Sequence, residues 1–198
     1  MMLLQYEKEL YEQGFSMIAG VDEVGRGCLF GDVVAAAVIL PAGYILEDIN
    51  DSKKLSERKR EQLYEQITAD CIAWSVSRKN AQIVDTVNIK QASKLAMQQA
   101  IAELSTTPDY VLIDAEQLIL PIPSLSLIKG DALSQSIAAA SIIAKVTRDQ
   151  LCKTEWETNY PGYGIATHKG YATKMHQQKL RELGATAEHR QTFLTKIL

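Results

Sequence analysis

The feature that most constrains the fold is an unbroken apolar run at residues 33–40 (VVAAAVIL), which Pro41 closes. The run shows no alternation between polar and apolar residues, so both of its faces are expected to be buried. A strand of this kind belongs inside a sheet that helices cover on both sides. The run therefore indicates an α/β fold, and at eight residues it is far too short to cross a membrane.

Strand-like and helix-like segments alternate along the chain, and no repeat or linker divides it. Strands are predicted at residues 18–24, 32–40, 71–77 and 110–113. Helices are predicted at residues 56–68, 86–104, 132–151 and 171–183, and again in the tail from residue 187, whereas residues 162–170 are predicted as a loop. We expect one domain over residues 1–198, in which a helical cap from about residue 155 lies against the sheet.

The cysteines and the first residues bear on the location of the protein. Cys28, Cys71 and Cys152 are odd in number and widely spaced, with no CxxC pair, so neither a zinc site nor a disulfide framework is indicated. The first 15 residues carry three glutamates and lack the basic segment of a secretory signal. These features predict a cytoplasmic protein with reduced thiols.

The formal net charge of −3 argues against a nucleic-acid partner, but the distribution of charge does not. Residues 1–52 carry nine acidic and two basic side chains, whereas residues 145–198 carry nine basic and five acidic ones. A basic cluster at residues 53–60 adds positive charge. An acidic centre flanked by basic surface and a set of solvated helix faces both fit this pattern.

Four acidic residues stand where predicted strands or helices begin or end. Asp22 and Glu23 close the first strand, Asp114 follows the strand at 110–113, and Asp131 opens the predicted long helix. Carboxylates at the rim of a sheet are well placed to bind Mg²⁺ or Mn²⁺, which prefer oxygen ligands. Two such ions roughly 4 Å apart need about four carboxylates to offset their charge.

Each of these acids also fits a structural role. Asp131 is equally well placed to cap a helix, and Asp114 to sit in a turn. Asp22 and Glu23 beside Arg26 are compatible with a surface ion pair. The hypothesis of a metal site therefore rests on their joint placement.

Long stretches around these acids resemble type 2 ribonuclease H, the bacterial ribonuclease HII family. The matching segments keep the family's order over residues 18–189; they are AGVDEVGRG at 19–27 with VVAAAVIL, NDSKKLS at 50–56, VLIDA at 111–115, KGD at 129–131, SIAAASIIAKVTRD at 136–149 and YPGYGIATHKGY at 160–171. Type 3 ribonuclease H resembles the chain less, because it carries a long N-terminal substrate-binding domain and only 17 residues precede the first strand here.

The resemblance implies a ribonuclease H-like fold with a five-stranded mixed sheet flanked by helices. It also implies a metal-dependent endonuclease that cleaves the RNA strand of RNA–DNA hybrids. Such enzymes further incise 5′ to single ribonucleotides embedded in duplex DNA, and leave 3′-hydroxyl and 5′-phosphate ends. By this resemblance, two Mn²⁺ or Mg²⁺ ions would bind the four acids Asp22, Glu23, Asp114 and Asp131. A monomer is the default expectation.

For the substrate, the resemblance assigns the loop Gly25-Arg26-Gly27 to the ribonucleotide 2′-hydroxyl and Tyr163 to the deoxyribose that follows. A core position for Tyr163, with Tyr160 as a rival for the role, fits the sequence as well. Basic side chains are candidates for phosphate contacts; they are Lys53, Lys54, Lys145, Arg148, His168 and Lys169. A structural role, or one beside the metal ions, is also open for His168.

Several positions depart from the family pattern or bear on partners. Cys28, Phe30 and Asp32 depart in the loop after Gly27, and Ala115 replaces a common glycine. Asp32 is predicted as a surface residue rather than a fifth metal ligand. The tail at 191–198 loosely resembles a sliding-clamp-binding peptide, but a packed terminal helix fits it better. A DNA-nicking enzyme of the same fold and a hybrid-binding module with structural acids are the rival functions.

Overall fold

The computed structural model describes residues 3–49, 55–195 and 197. Five strands form one sheet in the order β3-β2-β1-β4-β5; they are β1 (Ile18–Val24), β2 (Val33–Ile39), β3 (Ala73–Lys79), β4 (Tyr110–Asp114) and β5 (Ser124–Leu127). Strand β2 runs antiparallel to β1 and β3, whereas β4 pairs parallel with β1, and β5 with β4. The predicted mixed, five-stranded sheet is thus confirmed.

Helices of different lengths flank this sheet. They are α1 (Gln5–Glu12), α2 (Glu57–Asp70), α3 (Ala81–Val87), α4 (Ile89–Ala102), α5 (Gln135–Leu151), α6 (Glu157–Asn159), α7 (Ile165–His168), α8 (Lys174–Leu183) and α9 (Gln191–Leu194). A 3₁₀ turn, Gly130–Ala132, precedes α5, and a π turn, Cys152–Trp156, follows it. In the described part of the chain no helix is long and apolar enough to cross a bilayer.

Both faces of the sheet are covered, as the apolar run in β2 predicts. Ala35 and Ala37 lie in one apolar cluster with α4, whereas Ala36 and Val38 lie in another with α2 and α5. Helix α5 approaches the sheet most closely at Gly20, where a Cβ would overlap the backbone of Ser136. Only glycine permits this approach, so α5 lies directly on β1.

Several of the predicted boundaries are wrong. The predicted loop at 162–170 contains α7, and α8 and α9 begin three and four residues later than predicted. The helix expected over residues 86–104 is divided at Asn88, whose φ of 67° ends α3 and whose side chain caps α4 by accepting from the N–H of Gln91. Helix α5 begins after Ser134, which accepts from the N–H of Ile137, so Asp131 is not its N-cap. Asp131 lies in the preceding 3₁₀ turn.

Helices α6 to α9 form the helical C-terminal cap that the sequence predicts. The cap is joined to the segment after β1 by two isolated β-bridges, Cys28 to Tyr171 and Phe30 to His189. In α9, Leu194 is buried with Leu29 in one apolar cluster. This packing agrees with the predicted packed helix at residues 191–194; residues 196 and 198 of the tail lie outside the described residues.

Candidate active site

The parallel strands bring the predicted acids to one edge of the sheet. Strands β1 and β4 pair with Val21 beside Ile113, so the next residues, Asp22 and Asp114, emerge at the same edge. Strand β5 ends there too and leads into the 3₁₀ turn that carries Asp131. The N–H of Gly130 in that turn donates to Oδ1 of Asp114 at 2.6 Å. The four acids therefore lie on three neighbouring segments.

Asp22 is buried, with 5% of its surface exposed. Its carboxylate accepts hydrogen bonds from the N–H of Glu23, at 2.7 Å, and from the hydroxyl of Ser141 in α5. Burial raises the pKa of Asp22 well above its usual value, and the negative charges of Glu23 and Asp114 raise it further. Three carboxylates thus share one poorly solvated region without enough positive charge.

Glu23 has one paired oxygen and one unpartnered oxygen. Its Oε1 accepts from Arg26 at 3.2 Å, whereas Oε2 is buried and finds no hydrogen-bond donor among the described residues. Burial raises the pKa of Glu23, and the guanidinium of Arg26 opposes that shift. A buried carboxylate oxygen without a partner is destabilising, and a divalent cation would satisfy it.

The side chains at this edge fit a hard divalent cation, because they offer carboxylate oxygens and excess negative charge. In the described ranges, however, no three histidine, cysteine or acidic side chains are already arranged to hold a metal ion.

The loop Gly25-Arg26-Gly27 continues directly from Glu23. Gly25 has a φ of 91° and backs onto Arg148, whereas Gly27 is exposed with open space around it. The carbonyls of Gly25 and Arg26 accept from Cys28 and Arg190. The N–H groups of Arg26 and Gly27 meet no acceptor within the described chain. Among the described residues, the loop therefore offers two unpaired backbone donors beside the acids.

Glu116 is a buried acid at this site that the sequence reasoning missed. Its Oε1 accepts from Arg26 at 2.8 Å, and its Oε2 lies 3.8 Å from Nζ of Lys94. An acid two residues after Asp114 was visible in the sequence. Its contact with Arg26 spans 90 positions, however, and no local pattern indicates it.

Arg148 was predicted to contact phosphate, and the structure contradicts this. Its side chain is fully buried, and its guanidinium donates to the carbonyls of Asp32, Phe30 and Lys169 at 3.0, 2.9 and 2.8 Å. The side chain therefore ties β2 and the cap together, and phosphate has no access to it.

His168 takes the structural role that the sequence left open, whereas Asp32 differs from its prediction. His168 is buried; its Nε2 donates to the carbonyl of Tyr163 at 2.9 Å, while Nδ1 accepts from the N–H of Gly170 at 3.1 Å. Both ring nitrogens are used within the protein, which favours the structural role over a phosphate contact. Asp32 is buried rather than on the surface, and pairs with Arg78 at 3.5 Å.

The remaining basic candidates vary in accessibility. Lys145 is half-buried and pairs with Asp149 at 2.7 Å, and Nζ of Lys169 donates to the carbonyl of Ala166 at 2.5 Å. Lys53 and Lys54 lie outside the described residues.

Tyr163 is mostly buried in an apolar cluster with Phe30 and Trp156. Its hydroxyl donates to the carbonyl of Gly184 at 2.9 Å, and its ring lies 5.2 Å from that of His189. The ring is thus held in a fixed position. Tyr160, the rival for its role, is half-buried and contacts Phe30 edge-on.

The sequence profile described as ribonuclease HII matches residues 19–196. The chain is 52% identical over 201 residues to a ribonuclease HII of Alkaliphilus metalliredigens, with 98% of each chain covered. This chain belongs to the ribonuclease HII family. Its members are divalent-metal-dependent endoribonucleases that act on RNA–DNA hybrids, and this activity is assigned to the protein.

Solved structures share this fold. The ribonuclease H2 of Pyrococcus horikoshii superposes with a TM-score of 0.76 at 24% identity, covering 91% of this chain and 96% of that one. The ribonuclease HII of Archaeoglobus fulgidus, solved in complex with PCNA, gives 0.72 at 25% identity, with 88% and 93% covered. A Bst ribonuclease HIII in complex with Mn²⁺ gives 0.62 at 19% identity, with 93% and 67% covered.

Proposed function

We propose that the protein, besides hydrolysing RNA in RNA–DNA hybrids, incises 5′ to single ribonucleotides embedded in duplex DNA and leaves 3′-hydroxyl and 5′-phosphate ends. The observation that carries the proposal is the register of β1 and β4, which places Asp22 and Asp114 at one edge next to a glycine loop with free N–H groups. The proposal includes one catalytic domain over residues 1–198, acting as a monomer in the cytoplasm.

The residues that would hold two Mn²⁺ or Mg²⁺ ions are Asp22, Glu23, Asp114 and Asp131. When bound, two such ions promote the attack of water on phosphorus and stabilise the charge on the leaving 3′-oxygen. The unpartnered oxygen of Glu23 supports the assignment, because it is a buried carboxylate oxygen that no group in the described part of the chain satisfies. The Mn²⁺ complex of a ribonuclease HIII with this fold supports the choice of ion.

Within the protein, two donors orient the carboxylate of Asp22. The N–H of Glu23 and the hydroxyl of Ser141 hold it from two sides, one from β1 and one from α5. Asp114 is fixed by the N–H of Gly130, which also joins it to the turn of Asp131. These backbone and hydroxyl donors stabilise the carboxylate form without supplying a full positive charge.

Recognition of the ribonucleotide is assigned to the loop beside the acids. The free N–H groups of Arg26 and Gly27 can donate to the 2′-hydroxyl, the group that distinguishes RNA from DNA at one nucleotide. Tyr163, whose ring is held by its bonded hydroxyl, would pack on the following deoxyribose. Lys145 and Lys169 would contact phosphates without reading sequence.

The deciding experiment uses a labelled DNA duplex that contains one ribonucleotide, incubated with the protein and Mn²⁺. We expect a single incision on the 5′ side of the ribonucleotide and no incision of the matched all-DNA duplex. Cleavage of both duplexes at equal rates, or cleavage that persists in excess EDTA, would contradict the proposal. Tyr163→Ala is expected to slow this incision more than hydrolysis of a long hybrid.

A further inference from the structure

The acidic edge contains one buried carboxylate more than the proposed cation site uses. Glu116 lies in the loop after β4, and only 8% of its surface is exposed. Its two oxygens face two positive groups, Arg26 at 2.8 Å and Lys94 at 3.8 Å. Glu116 is thus engaged by basic side chains, unlike Glu23, which keeps one oxygen unpartnered.

A single nitrogen of Arg26 serves both carboxylates. The same Nη atom lies 2.8 Å from Oε1 of Glu116 and 3.2 Å from Oε1 of Glu23, so the shorter contact is to Glu116. Hydrogen bonds between charged groups are about twice as strong as neutral ones. Without Glu116, therefore, the guanidinium would pair fully with Glu23, its other acidic partner.

Arg26 and a divalent cation compete for Glu23, because both are positive and both would take its oxygens. In a poorly solvated site two positive charges also repel strongly. Glu116 weakens both effects: it holds the guanidinium and compensates its charge. Glu23 can then turn to a cation while Arg26 keeps a partner.

We propose that Glu116 is a positioning residue, which holds Arg26 and thereby leaves Glu23 available to a divalent cation. Glu116 acts through Arg26 and is not itself a ligand of the cation. The inference rests on the proposed function, specifically on the cation site at Glu23.

The test is calorimetric titration of the metal-free, full-length protein with Mn²⁺ alone. Glu116→Gln keeps the shape of the side chain and removes its charge, and we expect it to raise the dissociation constant for Mn²⁺ about tenfold. In the Arg26→Gln background the same substitution should change that constant less than about twofold, because no guanidinium remains to be held. Glu155→Gln, which removes an equal charge beside Arg78, is the matched control and should leave the constant unchanged.

Several outcomes overturn the inference. An equal loss of affinity in both backgrounds would mean that Glu116 acts only through its long-range charge. Full affinity in Glu116→Gln would mean that Glu116 does not act on Glu23 at all. Glu116→Asp keeps the charge but shortens the reach to Arg26, so full recovery by this variant would also contradict a contact. If Glu116→Gln does not fold, Glu116→Asp is titrated with Mn²⁺ in its place, both alone and together with Arg26→Gln.

The wild-type titration separates this inference from the proposed function. Absence of Mn²⁺ binding by the wild-type protein would overturn the cation site and the inference together. Wild-type binding and hybrid hydrolysis, combined with equal effects of Glu116→Gln in both backgrounds, would overturn the inference alone.

Discussion

The acidic edge of the sheet and the C-terminal cap both bury charged groups, but they satisfy them differently. At the edge, like charges adjoin one another, and an oxygen of Glu23 has no partner within the described chain. On the cap side, Arg148 and Arg190 are fully buried, and every guanidinium nitrogen donates to a backbone carbonyl. The three guanidinium nitrogens of Arg190 donate to the carbonyls of Gly31 and Arg26.

This difference distinguishes charged groups that stabilise the fold from charged groups that are available to bind a ligand. Backbone carbonyls are fixed by the fold, so the two arginines hold the loop after β1 against the cap whatever the protein binds. At the acidic edge, Oε2 of Glu23 has no such partner within the described chain, and a ligand from outside can supply one. The following predictions test whether the two regions differ in this way.

The largest effect is expected for Asp22→Asn at the acidic edge. Hydrolysis of a labelled hybrid should fall by at least about a thousandfold, because a central ligand of the proposed cation site is lost. The melting temperature in EDTA should rise at pH 7, since the raised pKa of Asp22 means that its charged form opposes folding. Hybrid binding in EDTA should be retained. A melting temperature below that of wild type would contradict the comparison.

The second prediction concerns the cap, where Arg190→Met should act in the opposite direction. The substitution leaves the carbonyls of Gly31 and Arg26 buried without donors, which costs about 3 kcal/mol. For a chain of this size the melting temperature should fall by about 10 °C. Arg190→Lys should recover only part of the loss, because one ammonium cannot reproduce three bonded nitrogens. An unchanged melting temperature would show that these contacts are dispensable.

The third prediction concerns pH, because all three histidines of the chain lie together within the cap. His176 and His189 face each other through Nε2 at 3.1 Å, and His168 stacks on His176 at 4.1 Å. Burial lowers the pKa of His176 and of His189 to about 4. The unfolded chain binds a proton at each of these histidines more readily than the folded protein does. The contribution of the neutral histidines to the stability of the fold is therefore complete above about pH 6.5 and is lost as the pH falls towards 4.

Thermal melts between pH 7.5 and 4.5 measure this dependence. We expect the melting temperature to fall by several degrees over that range in wild type, and by less in His189→Asn, in which one titrating group is absent. Equal falls in both proteins would show that the cluster does not resist protonation.

The smallest effect is expected for Lys145→Ala. Because Lys145 already pairs with Asp149, binding of a phosphate exchanges one partner for another. Affinity for a hybrid in EDTA should fall about threefold, and the dependence of affinity on salt should decrease by about one ion. Lys153→Ala, which disrupts an ion pair with Glu57, is the control. If Lys145→Ala reduced hybrid affinity as much as Asp22→Asn reduces hydrolysis, Lys145 would have a role other than a phosphate contact.

The sequence predicted the centre of the fold well, because apolar content alone specifies β1, β2 and β4. Their ends also carry the acids, so the edge of the sheet followed from the strands. The break at Asn88 and the short, partly exposed β5 were not predicted, since each depends on a local conformation that hydrophobic patterning does not encode.

Long-range contacts set the limit of sequence reasoning at the site. Arg148 lies three residues after Lys145 on the same helix, but packing of α5 under the cap buries it. Glu116 and Arg190 contact Arg26 from 90 and 164 positions away, and neither contact leaves a local signature. Such partners become visible only when the chain is folded.

The close approach of α5 to Gly20 has a consequence for the chemistry. Ser141, farther along the same helix, donates to Asp22, which lies two residues after Gly20 on β1. The separation of α5 and β1 at Gly20 therefore helps to set the separation of Ser141 and Asp22 in the active site. A single methyl group at position 20 would lift the serine hydroxyl from the carboxylate that it orients.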